Sequence, residues 1–287
     1  MPLVSRGKGG LLLAAYSIPG AGKTLMAAAL MWVLLKRTGK MCLYRDWENG
    51  ETAIPGWIPF DLWQPDPEKD IIDEATEATQ LGLAGDYAAV VDDTISTLGR
   101  RILLSTVAKD LTEGKETKRV AVKTTGGADI RVPARMDYNA AQLTFEQWAL
   151  ANQPLLTQGK HWMWCAHERL LTVEDAGGVA KDIVGGPEIV GGQLTRSAPK
   201  LPQVIGRIKV QALPEGGVSR LFQTEVDGYY ISKDRLRVLN PRGIRIDVQA
   251  KDTTGPEDLT EKIILKCAAI WEKVLDSRLQ EKPKEEQ

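Results

Sequence analysis

Eight consecutive residues, Ser17, Ile18, Pro19, Gly20, Ala21, Gly22, Lys23 and Thr24, have the types and spacing that bind a phosphate. Gly20 and Gly22 carry no Cβ, so backbone N–H groups can close around phosphate oxygens there. Lys23 is placed to reach terminal phosphates, and the Thr24 hydroxyl is placed to ligate Mg²⁺. An apolar strand-like run (residues 10–16) precedes the turn and a helix-like run (25–36) follows it. The partially positive N-terminus of that helix points at the same anion. Strand, glycine-rich turn and helix are together the setting of a P-loop. Ser17 stands where the pattern G-x-x-x-x-G-K-[ST] has its first glycine, which predicts slower or weaker nucleotide binding.

A P-loop enzyme needs a further acid near Mg²⁺, at the end of a buried strand. Asp92, in the run YAAVVDD, is the candidate, with Asp93 beside it. Hydrolysis also needs a group that orients or deprotonates water. Glu48 follows the strand-like run 40–46, and a parallel sheet would bring it to the same C-terminal edge as the loop. Spacing alone leaves Glu48 open between that role and a solvated loop acid. His167 ends the apolar run HWMWCA and could hydrogen-bond a γ-phosphate from that edge, although a lone histidine is more often structural. Lys233 and Arg235 follow a late strand-like segment and could meet phosphates or simply be solvated.

These residues need elements to hold them. The 287-residue chain suits one large α/β domain with additions or two small domains. It is 43% hydrophobic and 26% charged, as soluble globular proteins are. The formal net charge of −1 excludes a polycation, so nucleic-acid binding would need a local basic patch. Cys42, Cys165 and Cys267 lie in apolar runs without metal-ligand spacing, which predicts buried thiols in a reducing compartment. No run reaches membrane-spanning length, and the expected location is the cytoplasm.

Buried strands are expected at 40–46, 87–91 and 161–166, with helices at 69–80, 95–104 and 138–156. Residues 51–68 hold Pro55, Pro59, Pro65 and Pro67 and read as irregular surface. Trp57 and Trp63 there are expected to pin the loop to the core rather than stack a base. Residues 105–135 and 169–192 read as flexible excursions. The first is mildly basic, with seven Lys/Arg against four acids between Lys109 and Arg135. Segments 205–212, 218–226 and 229–232 alternate like antiparallel strands. Thr254-Gly-Pro-Glu257 opens a capped helix with Ile263, Cys267, Ile270, Trp271, Val274 and Leu275 as one apolar stripe.

The ordered set SIPGAGKT, LYRDWE, AAVVDD, MWCAHER and SKDR resembles the RecA-like ATPases over residues 9–240. More narrowly, it resembles phage-encoded RecA-like nucleotide-binding proteins of single-strand annealing and recombination. The resemblance implies a three-layer α/β core with a mainly parallel sheet, late antiparallel strands and a C-terminal helix. It implies one ATPase domain (1–250) followed by a helix and polar tail (251–287). ATP and Mg²⁺ are the implied cofactors. Glu48 becomes the water activator, and His167 stands where such recombinases usually have glutamine. Lys233 and Arg235 become contacts to ATP bound by a neighbouring subunit, in a head-to-tail ring or filament. Single-stranded DNA and other phage recombination or replication proteins are the implied partners, with DNA-facing loops at 105–135 and 169–192. Two other functions share the P-loop: a DNA-packaging or helicase-type motor, and a nucleotide-gated assembly module with little turnover.

Overall fold

The apolar run before the glycine turn folds as strand β1 (Leu12–Ser17), all of it buried. The turn leads into helix α1 (Lys23–Thr38), which stops at Gly39 with φ of 69°. That left-handed C-terminal cap suits glycine, and Lys36 and Arg37 in the last turn oppose the helix dipole. The computed structural model describes residues 9–112, 121–123, 129–131, 133–174, 180–190, 194, 198–212, 218–248 and 253–277.

The other elements follow in order: β2 (Leu43–Asp46), β3 (Asp61–Trp63), α2 (Ile71–Ala84), β4 (Ala89–Asp93), α3 (Ile95–Thr112), β5 (Ala121–Lys123) and β6 (Asp129–Arg131). Then come α4 (Arg135–Asn152), α5 (Pro154–Thr157), β7 (His161–Glu174), β8 (Ala180–Pro187), β9 (Val204–Ala212), β10 (Val218–Gln223), β11 (Lys233–Asp234), β12 (Ile244–Arg245) and α6 (Pro256–Asp276). The main sheet runs β12-β10-β9-β1-β7-β4-β2-β3. Its block from β9 to β3 is parallel, while β10, β11 and β12 join antiparallel on the β9 side. This is the fold class expected from the sequence: a three-layer α/β core on a mainly parallel sheet, with late antiparallel strands and a C-terminal helix.

Alternation along the strands divides the core into two faces. Leu11, Leu13, Ala15, Tyr44, Ala89, Val91, Met163 and Cys165 face α1 and α6. Leu12, Ala14, Tyr16, Leu43, Val90, Trp162 and Trp164 face α2, α3 and α4. Helix α6 is part of the first layer: Trp271 is fully buried and its Nε1–H donates to the Met26 carbonyl at 2.8 Å. The ends of α2 are held by side chains. Asp70 accepts from Ile72 N, and Lys160 Nζ donates to the carbonyls of Gly82, Leu83 and Gly85 at 2.9, 2.7 and 2.6 Å. An ammonium there satisfies orphan carbonyls and the negative end of the dipole together.

Several expectations need correcting. The proline-rich stretch contains β3, which adds to the sheet edge beside β2. Trp63 is buried against Trp47, whereas Trp57 stays 40% exposed with its ring edge-on to Trp32. Strand β7 runs past Ala166 and pairs antiparallel with β8, so the described part of 169–192 is largely a hairpin. In 105–135, α3 continues to Thr112 and β5 pairs with β6; residues 113–120, 124–128 and 132 lie outside the described residues. Residues 229–232 form no strand, only isolated bridges and a turn before β11. The polar tail lies outside the described residues. No helix among the described residues is long and apolar enough to cross a membrane.

Candidate functional site

Parallel pairing gathers the candidate groups at one sheet edge. Ser17 at the end of β1 is in register with His167 in β7, and Asp46 at the end of β2 is in register with Asp93 in β4. The crevice outside the carboxyl ends of such strands is where open α/β sheets take ligands.

Between β1 and α1 the loop turns on Gly20 and Gly22, with φ of 74° and 108°. A Cβ at either would meet nothing within 4 Å, so what demands glycine is backbone conformation and an open approach to the loop. Ile18, Pro19 and Gly20 are exposed at the crest, and Ala21 is buried beneath it. Ser17 is not among the residues with positive φ; it is buried, ends β1, and its Oγ donates to the Ile18 carbonyl at 3.0 Å. Serine is therefore accommodated where the usual pattern has glycine.

Lys23 Nζ lies 3.5 Å from the Ile18 carbonyl and 3.4 Å from His167 Nδ1. An ammonium can only donate, so Nδ1 accepts and the ring proton sits on Nε2. Nε2 then donates to Glu48 Oε2 at 2.9 Å. The same Glu48 oxygen accepts from Thr94 Oγ1 and Thr97 Oγ1, each at 2.9 Å. Burial alone would raise the Glu48 pKa, but the hydrogen bonds from His167, Thr94 and Thr97 outweigh it and pull it down to about 2. Glu48 is carried by a loop that Asp46 shapes, since the Asp46 carboxylate accepts from the backbone N–H of Glu48, Gly50 and Glu51 at 3.1, 2.9 and 3.0 Å.

The acid beside Thr24 is Asp93, not Asp92. Thr24 Oγ1 donates to Asp93 Oδ2 at 2.7 Å, and Tyr44 OH donates to the same oxygen at 2.8 Å. Asp92 points through the opposite face of β4, where Arg45 pairs with it at 2.6 Å and the indoles of Trp47 and Trp162 donate at 2.9 and 2.7 Å. Both members of the Arg45–Asp92 pair are fully buried, so Asp92 is committed to holding β2, β4 and β7 together. The correction follows from strand parity, because the α1 side of β4 carries Ala89, Val91 and hence Asp93. The doublet shows two acids at the strand end, but which one faces the loop depends on which sheet face α1 covers.

Two observations bear on whether Mg²⁺ fits between Thr24 and Asp93. Asp93 Oδ1 is buried and has no hydrogen-bond partner among the described residues. Burial raises the Asp93 pKa to about 6 despite the donors Thr24 and Tyr44, so a nearby cation would favour its charged form. No group of three His, Cys, Asp or Glu among the described residues could hold a metal. The donor set is thus one carboxylate and one hydroxyl, which suits Mg²⁺ shared with phosphate oxygens and water.

Lys233 and Arg235 are not brought to the loop. Strand β11 pairs with β9 at Ile205, level with Ala14 in β1 rather than with Ser17. Arg235 donates to the Lys200 carbonyl at 2.6 Å, and Lys233 Nζ has no partner among the described residues. Burial, then the charge of Arg235, lowers the Lys233 pKa to about 8. Sequence reasoning missed Tyr44, Thr94 and Thr97, whose polar groups precede or follow apolar runs without a motif. An apolar cavity of about 270 Å³ between α4 and Leu201 contains no Lys, Arg or His and none of the phosphate-loop residues.

No family model matches the chain, and no curated protein matches it. Among solved structures it is similar to a KaiC-like protein of the hyperthermophilic archaeon Pyrococcus horikoshii, with a TM-score of 0.42 and 10% identity over 75% of this chain and 78% of that one. A likeness at that level carries nothing about activity or partners.

Proposed function

We propose that the chain binds ATP with Mg²⁺ at this sheet edge and hydrolyses it. The observation that supports the reading best is one hydrogen-bonded line, Lys23 to His167 to Glu48, beside the Thr24–Asp93 pair. Lys23 and the loop amides from Gly20 to Thr24 would hold the phosphates. Thr24 and Asp93 would hold Mg²⁺, which supplies charge neutralisation at the phosphates when bound. Glu48, kept ionised and fixed by three donors, would orient the attacking water. His167 would set the distance between lysine and carboxylate.

The finer reading rests on the sequence resemblance. The protein would act on single-stranded DNA in phage-type recombination or replication, assembled head to tail, with Lys233 and Arg235 reaching ATP on a neighbour. Their distance from their own subunit's loop agrees with a role in trans. A second reading, a nucleotide-gated assembly module with little turnover, is favoured by the same Glu48 contacts, because a carboxylate with a pKa of about 2 is a weak base. Steady-state ATPase rates with and without single-stranded DNA separate the two. DNA-stimulated turnover supports the first, and binding without turnover supports the second.

A further inference from the structure

Tyr44 lies in β2 on the sheet face that carries α1. Its hydroxyl and that of Thr24 both donate to Oδ2 of Asp93, at 2.8 and 2.7 Å, while Oδ1 is buried and unpartnered among the described residues. A phenol and a carboxylate can pair only with the phenol donating, so Tyr44 acts on Asp93 as a hydrogen-bond donor. Gly50 borders the same cluster. A Cβ there would lie 3.5 Å from Tyr44 OH, 3.7 Å from Thr24 Oγ1 and 3.8 Å from Asp93 Oδ2. Its backbone, at φ −90° and ψ −8°, is one that other residues adopt, so backbone conformation does not call for glycine. What a side chain would take away is the space over the Thr24–Asp93 pair.

We infer that Tyr44 is a positioning residue for the cation and that Gly50 keeps the cation's space open; this rests on the nucleotide-site reading above. With Oδ2 tied to two hydroxyls, the carboxylate cannot turn, and Oδ1 is the oxygen left for Mg²⁺ or a water bound to it. Thr24 directs its proton at Asp93, which leaves its lone pairs for the metal. A phenylalanine at position 44 would free the carboxylate to rotate without changing the apolar packing of the ring.

The test uses Mn²⁺ as the probe, titrated into the full chain saturated with ADP and followed by electron paramagnetic resonance. Wild type is compared with Tyr44→Phe and Gly50→Ala, and ADP affinity without metal is measured alongside. Loss of a contact that orients a metal ligand weakens metal binding by about 10–100-fold. Tyr44→Phe should show that loss, and Gly50→Ala a loss in the same direction, with metal-free ADP affinity unchanged. Variants that bind Mn²⁺ like wild type, or that lose metal-free ADP affinity equally, overturn the inference and leave the nucleotide site standing. Wild type that binds no Mn²⁺ with ADP overturns both. If Tyr44→Phe does not fold, Gly50→Ala decides by the same criterion, because its added methyl makes only ordinary contacts.

Discussion

Two adjacent aspartates in one strand have different fates, and mutation separates them. Asp93→Asn should leave the fold intact and abolish Mg²⁺-dependent ATP binding, measured by titration calorimetry. Asp92→Asn should instead destabilise the fold by about 3–5 kcal/mol in urea unfolding, because it leaves Arg45 buried without its counter-charge. Equal effects on metal-dependent binding would contradict the assignment of roles. Glu48→Gln keeps shape but removes charge, so ATP affinity should persist while kcat falls by ~10²–10⁴. Glu48 also makes a pH prediction. Its folded pKa of about 2 lies below the ordinary 4.5, so its ionisation stabilises the fold. That contribution is fully present above about pH 4.5 and is lost as pH falls through 2. Melting temperatures across that window should fall less steeply for Glu48→Gln than for wild type; parallel curves would contradict the three-donor geometry.

At the scale of elements, α6 is integral to the core. Trp271 is fully buried against Phe222 and bonded to the Met26 carbonyl. Trp271→Ala should cost about 3–5 kcal/mol in urea unfolding; a cost below about 1 kcal/mol would make α6 a loose appendage. The stripe from Ile263 to Leu275 was legible because its period matches a helix packed on one side. Its cap was read less well: Thr254 N is bonded by Asp258, one residue beyond the expected Glu257. The parallel strands were legible as continuous apolar runs. Strand β3 was hidden among prolines, since an edge strand of Asp61, Leu62 and Trp63 is too short to alternate visibly. Strand β8 was hidden by its glycines. Gly185 is needed there because a Cβ would lie 2.3 Å from the Tyr230 ring, so a residue that reads as a loop breaker permits close packing. The glycine turn between β1 and α1 was legible residue by residue. Asp93 and Tyr44 were not, because facing the loop is a property of strand parity and of which helix covers which face.

At the scale of the whole molecule, the proposed ATPase draws its loop from one subunit and its basic pair from a neighbour. Lys233 pairs level with Ala14 rather than with Ser17, so the role proposed for the pair is on a second subunit's ATP. Alanine at both positions should abolish turnover and spare ATP binding, since a basic group supplied in trans is worth ~10³–10⁵ in rate. Mixing that double variant with Lys23→Ala should restore part of the activity. No complementation at any mixing ratio, with assembly verified by light scattering, would place the pair outside the reaction. Single-stranded DNA affinity, if carried by basic residues of 109–135, should fall steeply with salt through counterion release; a flat salt dependence would exclude that segment. The central claim is narrower, that ATP and Mg²⁺ meet at Lys23. It is tested most directly by titrating MgATP into wild type and Lys23→Ala, with folding checked by circular dichroism. The account predicts saturable binding to wild type and loss of most of that affinity in the folded variant; equal affinity in both would contradict it.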